Sequence, residues 1–462
     1  MTLIKSISGI RGTIGGFEGE SLTPLDIVKY TAAYAHLIKE NNNSMSRLVV
    51  IGRDARISGF MLSRIVSGTL ISCGLDVLDI GLSTTPTVEY TVANTDSIGG
   101  IILTASHNPK QWNALKLLNS QGEFISQKNA EKIIDLVQKN LFEFSLIEKI
   151  GCYSYDDSYN EKHIDQILDL KLVDIDLIKK SNFKVVVDAV NSSGGIFVPN
   201  LLKKLNVECV KLHCEPNGKF PHNPEPLECN LQDLSNKVVA EGADFGIAVD
   251  PDVDRLAFVC EDGSFFGEEY TLVAIADFVL SKCKGGNTVS NLSSTRALSD
   301  ITKKNSGLYF PSAVGEVNVV AKMKEVEAII GGEGNGGVIF PDIHYGRDAL
   351  TGIALFLTHI AERKINCSEL RKTYPDYYIS KQKIKLRDSY NSDLIMNKLK
   401  EHWKTHNINT VDGLKIDFEN EWIHIRKSNT EPIIRIYAES SSQEKADNLA
   451  LNFIEEIKNK FL

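Results

Sequence analysis

Three stretches of the chain repeat one plan, in which a short run of β-branched residues is followed by a helical pattern and by a second such run. The copies run from Arg47 to Ile80, from Lys184 to Leu212 and from Thr288 to Val314. Strands that alternate with helices at this spacing predict parallel or mixed α/β sheets. We therefore expect three similar α/β domains.

The pattern changes after Tyr374-Pro375. Two strand-like runs, Trp422–Ile425 and Ile433–Tyr437, precede a helical pattern over Gln443–Lys460, which predicts a smaller α+β domain. We expect four domains over residues 1–150, 151–255, 256–372 and 373–462, with linkers near Gly151, after Asp254 and at residues 373–376.

Charge, hydrophobic runs and cysteine spacing argue against several classes of protein. Lys+Arg 51 minus Asp+Glu 60 gives a net charge of −9, so we expect no general surface for nucleic acid. Met1–Ile10 does not have the pattern of a secretory signal, and no run reaches the roughly 18 apolar residues of a membrane span. The eight cysteines are scattered without a Cys-x-x-Cys pair, which argues against both a disulfide framework and a zinc site. A cytoplasmic protein without a membrane partner is the expectation.

The segment Thr104–Pro109 (TASHNP) follows an apolar run, residues 97–103, that predicts a buried strand. Open α/β sheets bind ligands at the carboxyl ends of their strands. Ser106 could act there as a nucleophile with His107 or Lys116 nearby. A plain Ser/Asn turn closed by a proline remains open as an alternative.

The segment Asp250–Arg255 (DPDVDR) follows a second apolar run, residues 245–249. In an extended loop, side chains at alternate positions share a side, so Asp250, Asp252 and Asp254 would converge. Carboxylates this close repel one another unless a cation lies among them, and all-oxygen ligation suits Mg²⁺.

Three other interpretations of this acidic segment can be compared. An EF-hand loop needs glycine where Arg255 lies and helices on both sides, although Glu261 falls at its twelfth position. A phosphatase of the haloacid dehalogenase type would have Thr or Val after its Asp-x-Asp, whereas Arg255 and Leu256 follow here. A solvated acidic turn is the remaining alternative, and the strict alternation favours the metal site over it.

The glycine-rich segment Gly331–Gly337 formally matches a dinucleotide-binding motif. Val338–Pro341 follows where that motif would open a helix, so the match fails on context. A loop that presents Glu333 and Asn335 to a polyol is the better interpretation, and a plain hairpin turn stays open.

The segment Arg426–Pro432 (RKSNTEP) lies between two predicted strands of the last domain. Two cations, two hydroxyls, an amide and the N–H groups of a turn could form a phosphate-binding clamp. A polar hairpin is an equal alternative. Taken together, the four segments contain the parts needed for phosphoryl transfer.

In this order, the four segments resemble those of the α-D-phosphohexomutase family, and the resemblance spans essentially the whole chain. Further matches are Ser8–Gly12 near the start, Pro216–Pro221 (PNGKFP) and Pro224–Pro226 (PEP). The family resemblance implies four domains around a central cleft, of which three are related mixed α/β units and the last is a smaller α+β unit. That architecture agrees with the repeat pattern.

The resemblance also implies roles for particular residues. Ser106 would be the serine that gives and takes back a phosphoryl group, and Mg²⁺ would bind that phosphate together with Asp250, Asp252 and Asp254. The catalytic group would consist of Ser106, His107, Arg11, Lys116 and Arg255, with Lys116 or His107 transferring protons. The substrate-binding residues would be Gly315, Glu316, Glu333 and Asn335 for the sugar, and Arg426, Ser428, Asn429 and Thr430 for the phosphate that does not react.

The implied reaction is an intramolecular phosphoryl transfer that converts a hexose 6-phosphate into the 1-phosphate. Phosphorylated Ser106 would give a bound hexose 1,6-bisphosphate, which would turn over and return its other phosphate. The partner would be a small phosphosugar, and the protein would be a monomer or homodimer. A sugar-phosphate phosphatase and a non-catalytic sugar-phosphate sensor are alternatives from other classes.

The chain departs from the family pattern in the sugar loop. Many members have Glu-x-Ser-Gly-His, whereas Asn335 and Gly337 occupy the Ser and His positions here. A role for that histidine is therefore unsupported, and His344 is considered as a substitute. Ala114 replaces the usual glycine before Leu115-Lys116.

The form of the sugar loop is similar to that of archaeal-type phosphoglucosamine mutases and their phosphomannomutase/phosphoglucomutase relatives. Glu333 could pair with a 2-ammonium group, which favours glucosamine 6-phosphate as the substrate. The same carboxylate suits neutral hydroxyls, so the phosphates of mannose and glucose stay open.

Overall fold

The computed structural model describes residues 2–7, 9–42, 44–386, 392–427 and 433–461. These residues form two compact units, Met1–Thr271 with Asn335–Leu370 (unit 1) and Leu272–Gly334 with Arg371–Leu462 (unit 2). No helix among the described residues is both long and apolar enough to cross a membrane.

The secondary structure alternates between strands and helices over most of the chain. The strands are β1 (Ile4–Ser6), β2 (Gly9–Thr13), β3 (Leu48–Arg53), β4 (Asp76–Leu82), β5 (Gly99–Leu103), β6 (Trp112–Leu118), β7 (Tyr153–Tyr155), β8 (Lys184–Asp188), β9 (Glu208–Leu212), β10 (Phe245–Val249), β11 (Leu256–Cys260), β12 (Asn287–Asn291), β13 (Leu308–Ser312), β14 (Ile330–Glu333), β15 (Gly337–Ile339), β16 (Tyr378–Lys385), β17 (Ile408–Asn409), β18 (Leu414–Asp417), β19 (Trp422–Lys427) and β20 (Ile433–Ser440). The α-helices are α1 (Pro24–Asn41), α2 (Gly59–Ser72), α3 (Thr85–Ala93), α4 (Gln127–Lys139), α5 (Ser158–Leu168), α6 (Ile175–Ser181), α7 (Gly194–Lys204), α8 (Gln232–Glu241), α9 (Glu268–Cys283), α10 (Ala297–Lys304), α11 (Glu316–Glu325), α12 (Ala349–Arg363), α13 (Cys367–Arg371), α14 (Ser392–Trp403) and α15 (Gln443–Phe461).

The first sheet, in unit 1, has the order β1-β2-β6-β5-β3-β4-β7. Strands β5, β3, β4 and β7 run parallel, whereas β6 is antiparallel to both β5 and β2. Alternate residues of β3 point to opposite faces, so Val49 and Ile51 join one buried cluster and Val50 joins another. Both faces are therefore covered, as a predominantly parallel sheet requires.

The second sheet, also in unit 1, has the order β11-β10-β8-β9. Strand β10 is parallel to β8 and antiparallel to β11. We expected a linker after Asp254, but the chain forms a β-hairpin there, because β11 is apolar and pairs with β10 over its whole length. The domain limit expected at residues 255/256 therefore falls inside a hairpin of this sheet.

Unit 2 contains the parallel strands β13, β12 and β14 and a separate antiparallel sheet of order β16-β20-β19-β18-β17. Helices α14 and α15 cover the antiparallel sheet through a buried cluster that includes Leu399, Phe453 and Ile457. The predicted class, three related mixed α/β domains followed by a smaller α+β domain, is confirmed.

His424 on β19 is fully buried within unit 2. Its Nδ1 lies 2.9 Å from the Ser293 hydroxyl, and its Nε2 lies 2.6 Å from the Asp412 carbonyl oxygen. A neutral imidazole can satisfy both partners by donating from Nε2 and accepting at Nδ1. Burial lowers the pKa of His424 to about 4, against the opposing effect of the Asp412 carbonyl.

This lowered pKa predicts a loss of stability in mild acid. The unfolded chain binds a proton at this histidine from about pH 6.5 downward and the folded chain only near pH 4, so the free energy of unfolding should fall between these values by about 1–3 kcal/mol. Urea unfolding followed by tryptophan fluorescence at pH 4 to 8 measures this loss. His424→Gln should flatten this part of the pH dependence, and an unchanged slope in that variant would contradict the assignment.

Candidate functional site

Two loops of unit 1 bring the predicted nucleophile and the acidic segment together. The first follows β5 and the second follows β10, and both strands are fully buried. Ser106 Oγ donates a hydrogen bond to Asp250 Oδ2 at 2.7 Å. The carboxyl ends of strands in the first and second sheets thus meet at one site, as expected for ligand sites of α/β sheets.

The three aspartates converge as predicted, although the reason differs from the one expected. Oxygens of Asp250, Asp252 and Asp254 all lie within 4.8 Å of one another. The loop is a turn rather than an extended segment, because Asp250 Oδ1 accepts from the backbone N–H groups of Asp254 at 3.1 Å and Arg255 at 3.2 Å. Val253 takes a φ of 62° in this turn, which is a strained conformation for a β-branched residue.

Two cations offset the charge of this buried cluster. Lys116 Nζ lies 2.6 Å from Asp252 Oδ2 and 3.2 Å from Asp254 Oδ2, and Arg347 Nη2 lies 2.7 Å from Asp254 Oδ2. Burial would lower the pKa of Lys116, but the two carboxylates outweigh it and raise that pKa. Burial would likewise raise the pKa of Asp254, but Arg347 and Lys116 lower it below its usual value.

At Asp250, the effects that raise the pKa of the carboxyl group outweigh those that lower it. Burial, together with the carboxylates of Asp254 and Asp252, raises the pKa of Asp250 well above its usual range. The Oδ1 atoms of Asp252 and Asp254 are buried and make no hydrogen bond to any residue that the structure describes. Buried carboxylate oxygens that accept no hydrogen bond are the ligands that a hard cation requires, so this cluster fits Mg²⁺.

His107 is next to the nucleophile. Its Nδ1 lies 3.4 Å from Ser106 Oγ. Burial, followed by repulsion from Arg255, lowers the pKa of His107 well below its ordinary value, and Arg11 contributes in the same direction. Arg11 lies on β2, opposite Ala114 in the register with β6, two residues before Lys116. All five predicted catalytic residues therefore lie in unit 1.

Arg56 holds the backbone of the nucleophile loop, which sequence reasoning did not find. Its guanidinium is buried and donates to the carbonyl oxygens of Ser106, Asn108 (2.6 Å), Pro109 (2.8 Å) and Trp112 (3.0 Å). Ser106 itself has a φ of 47°, a conformation that non-glycine residues seldom adopt. Four hydrogen bonds from one cation can maintain such a loop.

A buried carboxylate orients Arg56 in turn. Asp54 Oδ2 accepts from Arg56 Nε at 3.1 Å and from the Thr104 hydroxyl at 2.7 Å. Phe220 of the PNGKFP segment lies under the Arg56 guanidinium at 5.0 Å. Gly218 of the same segment has a φ of +69°, and a Cβ there would lie 2.3 Å from the Ala55 carbonyl oxygen. This segment therefore supports the loop that carries Arg56.

The side chain of Arg255 extends from the acidic loop to the PEP segment. Its Nη1 donates to Glu225 Oε1 at 2.9 Å, and its Nε lies 3.9 Å from Asp254 Oδ1. The carboxylate fixes the guanidinium beside the acidic loop. The PNGKFP and PEP segments thus contact Arg56 and Arg255, respectively.

The structure explains why glycine, rather than the histidine of many family members, occupies position 337. A Cβ on Gly337 would lie 2.2 Å from Cδ of Arg347, the side chain that reaches Asp254. Within unit 1, the glycine leaves the space that this arginine occupies. His344, which we considered as a substitute for the missing histidine, lies instead against Glu89, with Nδ1 3.4 Å from Oε2.

Of the predicted sugar-binding residues, Glu333 and Gly315 contact each other in unit 2. Glu333 is buried, and its Oε1 accepts from the Gly315 N–H at 3.1 Å and from Asn291 Nδ2 at 2.9 Å. Glu316 follows as the first residue of α11 and is also buried. Asn335 belongs to unit 1, where its Oδ1 accepts from the Gly337 N–H at 3.2 Å.

Arg426 is the one predicted phosphate-binding residue within the described part of the chain. Its Nε lies 3.2 Å from Asp412 Oδ2, an oxygen that also accepts from the Val314 N–H at 3.1 Å. The remaining members of the predicted clamp, Ser428, Asn429 and Thr430, lie outside the described residues.

Sequence reasoning missed Arg56, Thr85 and Arg347. The Thr85 hydroxyl donates to Asp252 Oδ2 at 2.5 Å. A signal existed for Arg56, because the polar run Arg53–Arg56 follows an apolar strand as the two recognised motifs do. Arg347 had no such signal, since its contact with the acidic loop depends on tertiary structure alone.

Matches to known protein families cover nearly the whole chain. Four family models described as phosphoglucomutase/phosphomannomutase match in order, with alpha/beta/alpha domain I over residues 3–144, domain II over residues 161–263, domain III over residues 267–378 and the C-terminal domain over residues 383–456.

Individual relatives agree with these matches. The chain is 37% identical over 440 residues to a phosphoglucomutase/phosphomannomutase of Thermococcus kodakarensis, covering 94% of this chain and 95% of that protein. It is 31% identical to a phosphoglucosamine/phosphogalactosamine mutase of Sulfurisphaera tokodaii, covering 97% of each. A crystal structure of a phosphoglucomutase/phosphomannomutase family protein from Burkholderia thailandensis is similar with a TM-score of 0.85 and 27% identity, covering 99% of this chain and 98% of that one.

The contacts of Arg56 predict that its replacement loosens the nucleophile loop. Arg56→Lys keeps the charge, but a single ammonium cannot donate to four carbonyl oxygens. Amide hydrogen exchange over residues 104–112 should then become faster by about tenfold or more. Arg64→Lys, on the exposed face of α2, is the matched control. Equal exchange in the wild type and Arg56→Lys would show that the loop does not depend on this side chain.

Proposed function

The chain belongs to the phosphoglucomutase/phosphomannomutase family, and on that premise we propose that it interconverts a hexose 6-phosphate and a hexose 1-phosphate through a phosphorylated Ser106. A hexose 1,6-bisphosphate is the bound intermediate. The hydrogen bond between Ser106 Oγ and Asp250 Oδ2 at 2.7 Å carries this proposal. It puts a hydroxyl nucleophile in contact with a buried carboxylate cluster that can hold a metal ion, the arrangement that phosphoryl transfer requires.

In the first step, the free hydroxyl oxygen of the hexose monophosphate attacks the phosphorus of phosphorylated Ser106. A new P–O bond to the sugar forms as the P–Oγ bond breaks, and one proton passes in net terms from the sugar hydroxyl to Ser106 Oγ. His107 and Lys116 are the candidates for carrying that proton, since His107 lies beside Ser106 and Lys116 beside the acidic loop. The second step reverses these bond changes with the other phosphate of the bisphosphate.

Asp250, Asp252, Asp254 and the phosphate on Ser106 would hold Mg²⁺, which when bound offsets negative charge on the transferring group. Arg11 and Arg255 contribute positive charge beside the reacting phosphate. Arg426, together with Ser428, Asn429 and Thr430, would bind the phosphate that does not react. Because the intermediate presents either phosphate in turn, this clamp has to accept both orientations.

We propose glucosamine 6-phosphate and glucosamine 1-phosphate as the preferred pair. Glu333 supports this choice, because a buried carboxylate next to the Gly315 turn favours a ligand with a 2-ammonium group. The amino-sugar activity in the name of the Sulfurisphaera tokodaii relative also supports it. The alternative is a mutase of broad specificity for mannose and glucose phosphates, in agreement with the name of the Thermococcus kodakarensis relative.

Ser106→Ala tests the mechanism, because it removes the oxygen that accepts the phosphoryl group. We expect wild-type protein to contain a fraction heavier by one phosphoryl group in intact mass spectrometry, and this fraction should be absent from Ser106→Ala. Mutase activity assayed with Mg²⁺ and a trace of hexose 1,6-bisphosphate should fall by at least about 1,000-fold.

Ser120→Ala, at an exposed serine in the turn after β6, is the matched control and should retain both the mass shift and the activity. Full activity of Ser106→Ala would contradict the mechanism. Release of inorganic phosphate without mutase product would instead identify a phosphatase.

The sugar preference is tested by kcat/KM for the 6-phosphates of glucosamine, mannose and glucose, each with its matching 1,6-bisphosphate. We expect glucosamine 6-phosphate to be preferred by about tenfold, or roughly 1.4 kcal/mol in transition-state binding. Glu333→Gln should reduce this preference more than it reduces activity on glucose 6-phosphate. Similar values for the three sugars in the wild type would favour the broad-specificity alternative.

A further inference from the structure

Unit 1 contains a second group of metal-binding side chains, formed by residues far apart in the sequence. His163 on α5, His344 and Asp348 are buried, and one ligand atom from each lies within 4.8 Å of the other two. Glu89 on α3 is also fully buried and faces His344. We propose that His163, His344 and Asp348 bind a divalent transition-metal ion of the Zn²⁺ type, with Glu89 orienting the His344 ring.

The distances between His163 Nε2, His344 Nε2 and Asp348 Oδ2 suit three positions of a tetrahedral site, and Glu89 lies at the other ring nitrogen of His344. His163 Nε2 lies 3.2 Å from Asp348 Oδ2, His344 Nε2 lies 3.7 Å from the same oxygen, and His344 Nδ1 lies 3.4 Å from Glu89 Oε2. Ligands bound to Zn²⁺ at about 2.0 Å with tetrahedral angles are about 3.3 Å apart. An ion could therefore bind with small side-chain movements.

The imidazole nitrogens are poorly satisfied by the protein itself. Nε2 of His163 and both ring nitrogens of His344 are buried and make no hydrogen bond of acceptable geometry within the described part of the chain. Buried polar groups nearly always have a partner, so the Nε2 atoms of His163 and His344, which both face Asp348 Oδ2, indicate a missing ligand. A metal ion would use one nitrogen from each ring.

His163 also has the support that metal-binding histidines need. Its Nδ1 lies 2.9 Å from the Thr87 hydroxyl, which leaves Nε2 directed toward Asp348. Hydrogen bonding at the second ring nitrogen fixes the tautomer and the orientation of a ligating histidine. Thr87 is on the first turn of α3, where Thr84 caps the helix, so the support is itself rigid.

Charge favours a dication at this point. Two neutral imidazoles and the Asp348 carboxylate carry a charge of −1 when no cation is bound, and a buried charge without a counter-charge is destabilising. A bound divalent ion would offset this charge. Imidazole ligands favour Zn²⁺ and similar ions over Mg²⁺, which distinguishes this site from the all-oxygen aspartate loop.

The proposed ion would also stabilise the acidic loop of the candidate functional site, through residues next to those that contact it. Asp348 caps α12, with Oδ1 accepting from the N–H groups of Leu350 and Thr351, and it follows Arg347, which contacts Asp254. On α3, Glu89 lies one turn after Thr85, which contacts Asp252. The metal would therefore connect to two segments that each contact the acidic loop, directly through Asp348 and through the His344 ring that faces Glu89. Cysteine spacing gave no indication of this site because its ligands are not cysteines.

The experiment measures metal binding by the full-length protein in excess Mg²⁺, which occupies the aspartate loop. We expect about one equivalent of Zn²⁺ to bind in competition with a chelator, and Co²⁺ to give the intense visible absorption of four-coordinate nitrogen and oxygen ligation. Thr87→Val keeps all three ligands but removes the support for His163, so it should weaken Zn²⁺ binding by about 10- to 100-fold. His163→Gln should abolish it.

His222→Gln is the matched control, since His222 belongs to another group, with Asp188 and His213, that also brings potential ligands together. This variant should bind Zn²⁺ as the wild type does. The proposal is overturned if wild-type protein shows neither tight Zn²⁺ binding nor the Co²⁺ spectrum, or if His222→Gln abolishes binding while Thr87→Val does not change it. If His163→Gln does not fold, the wild type and the other two variants still decide the question.

Discussion

The structure of unit 1 depends on keeping three buried carboxylates, those of Asp250, Asp252 and Asp254, within 4.8 Å of one another. Their repulsion has to be offset by cations from elsewhere in the chain, and Lys116 and Arg347 supply part of that charge. The compensation is incomplete. Two carboxylate oxygens make no hydrogen bond to any described residue, and burial, together with the other two carboxylates, raises the pKa of Asp250. A bound divalent cation would complete the balance, so the cost of collecting these charges creates the affinity for the metal.

A second constraint holds two residues of the candidate site in unfavourable backbone conformations. Ser106 and Val253 both have positive φ values, which persist only where surrounding contacts determine them. Arg56 maintains the first loop through four carbonyl oxygens, and the turn closed by Asp250 maintains the second. Strain in the loop that carries Ser106 and in the acidic loop is thus balanced by hydrogen bonds from the side chains of Arg56 and Asp250.

The repeated strand–helix plan predicted the fold class because its signals are local. Strands β8 and β10 have the bounds that their apolar runs indicate, and the polar segments after β5 and β10 lie together although these two strands belong to different sheets. The contacts of Arg347 and the grouping of His163 with His344 could not be predicted, since they join residues far apart in sequence without a spacing rule. The hairpin at β11 was missed because an apolar strand after an acidic loop can also begin a new domain.

The central claim, that Ser106 carries the phosphoryl group during turnover, is tested most directly in a single turnover. Enzyme with radiolabelled phosphate on Ser106 is mixed with excess unlabelled glucosamine 6-phosphate and Mg²⁺, then quenched at short times. The label should leave the protein at least as fast as kcat and appear first in the bisphosphate and then in sugar monophosphate. Label that remains on Ser106 while product forms, or that leaves as inorganic phosphate, would contradict the account.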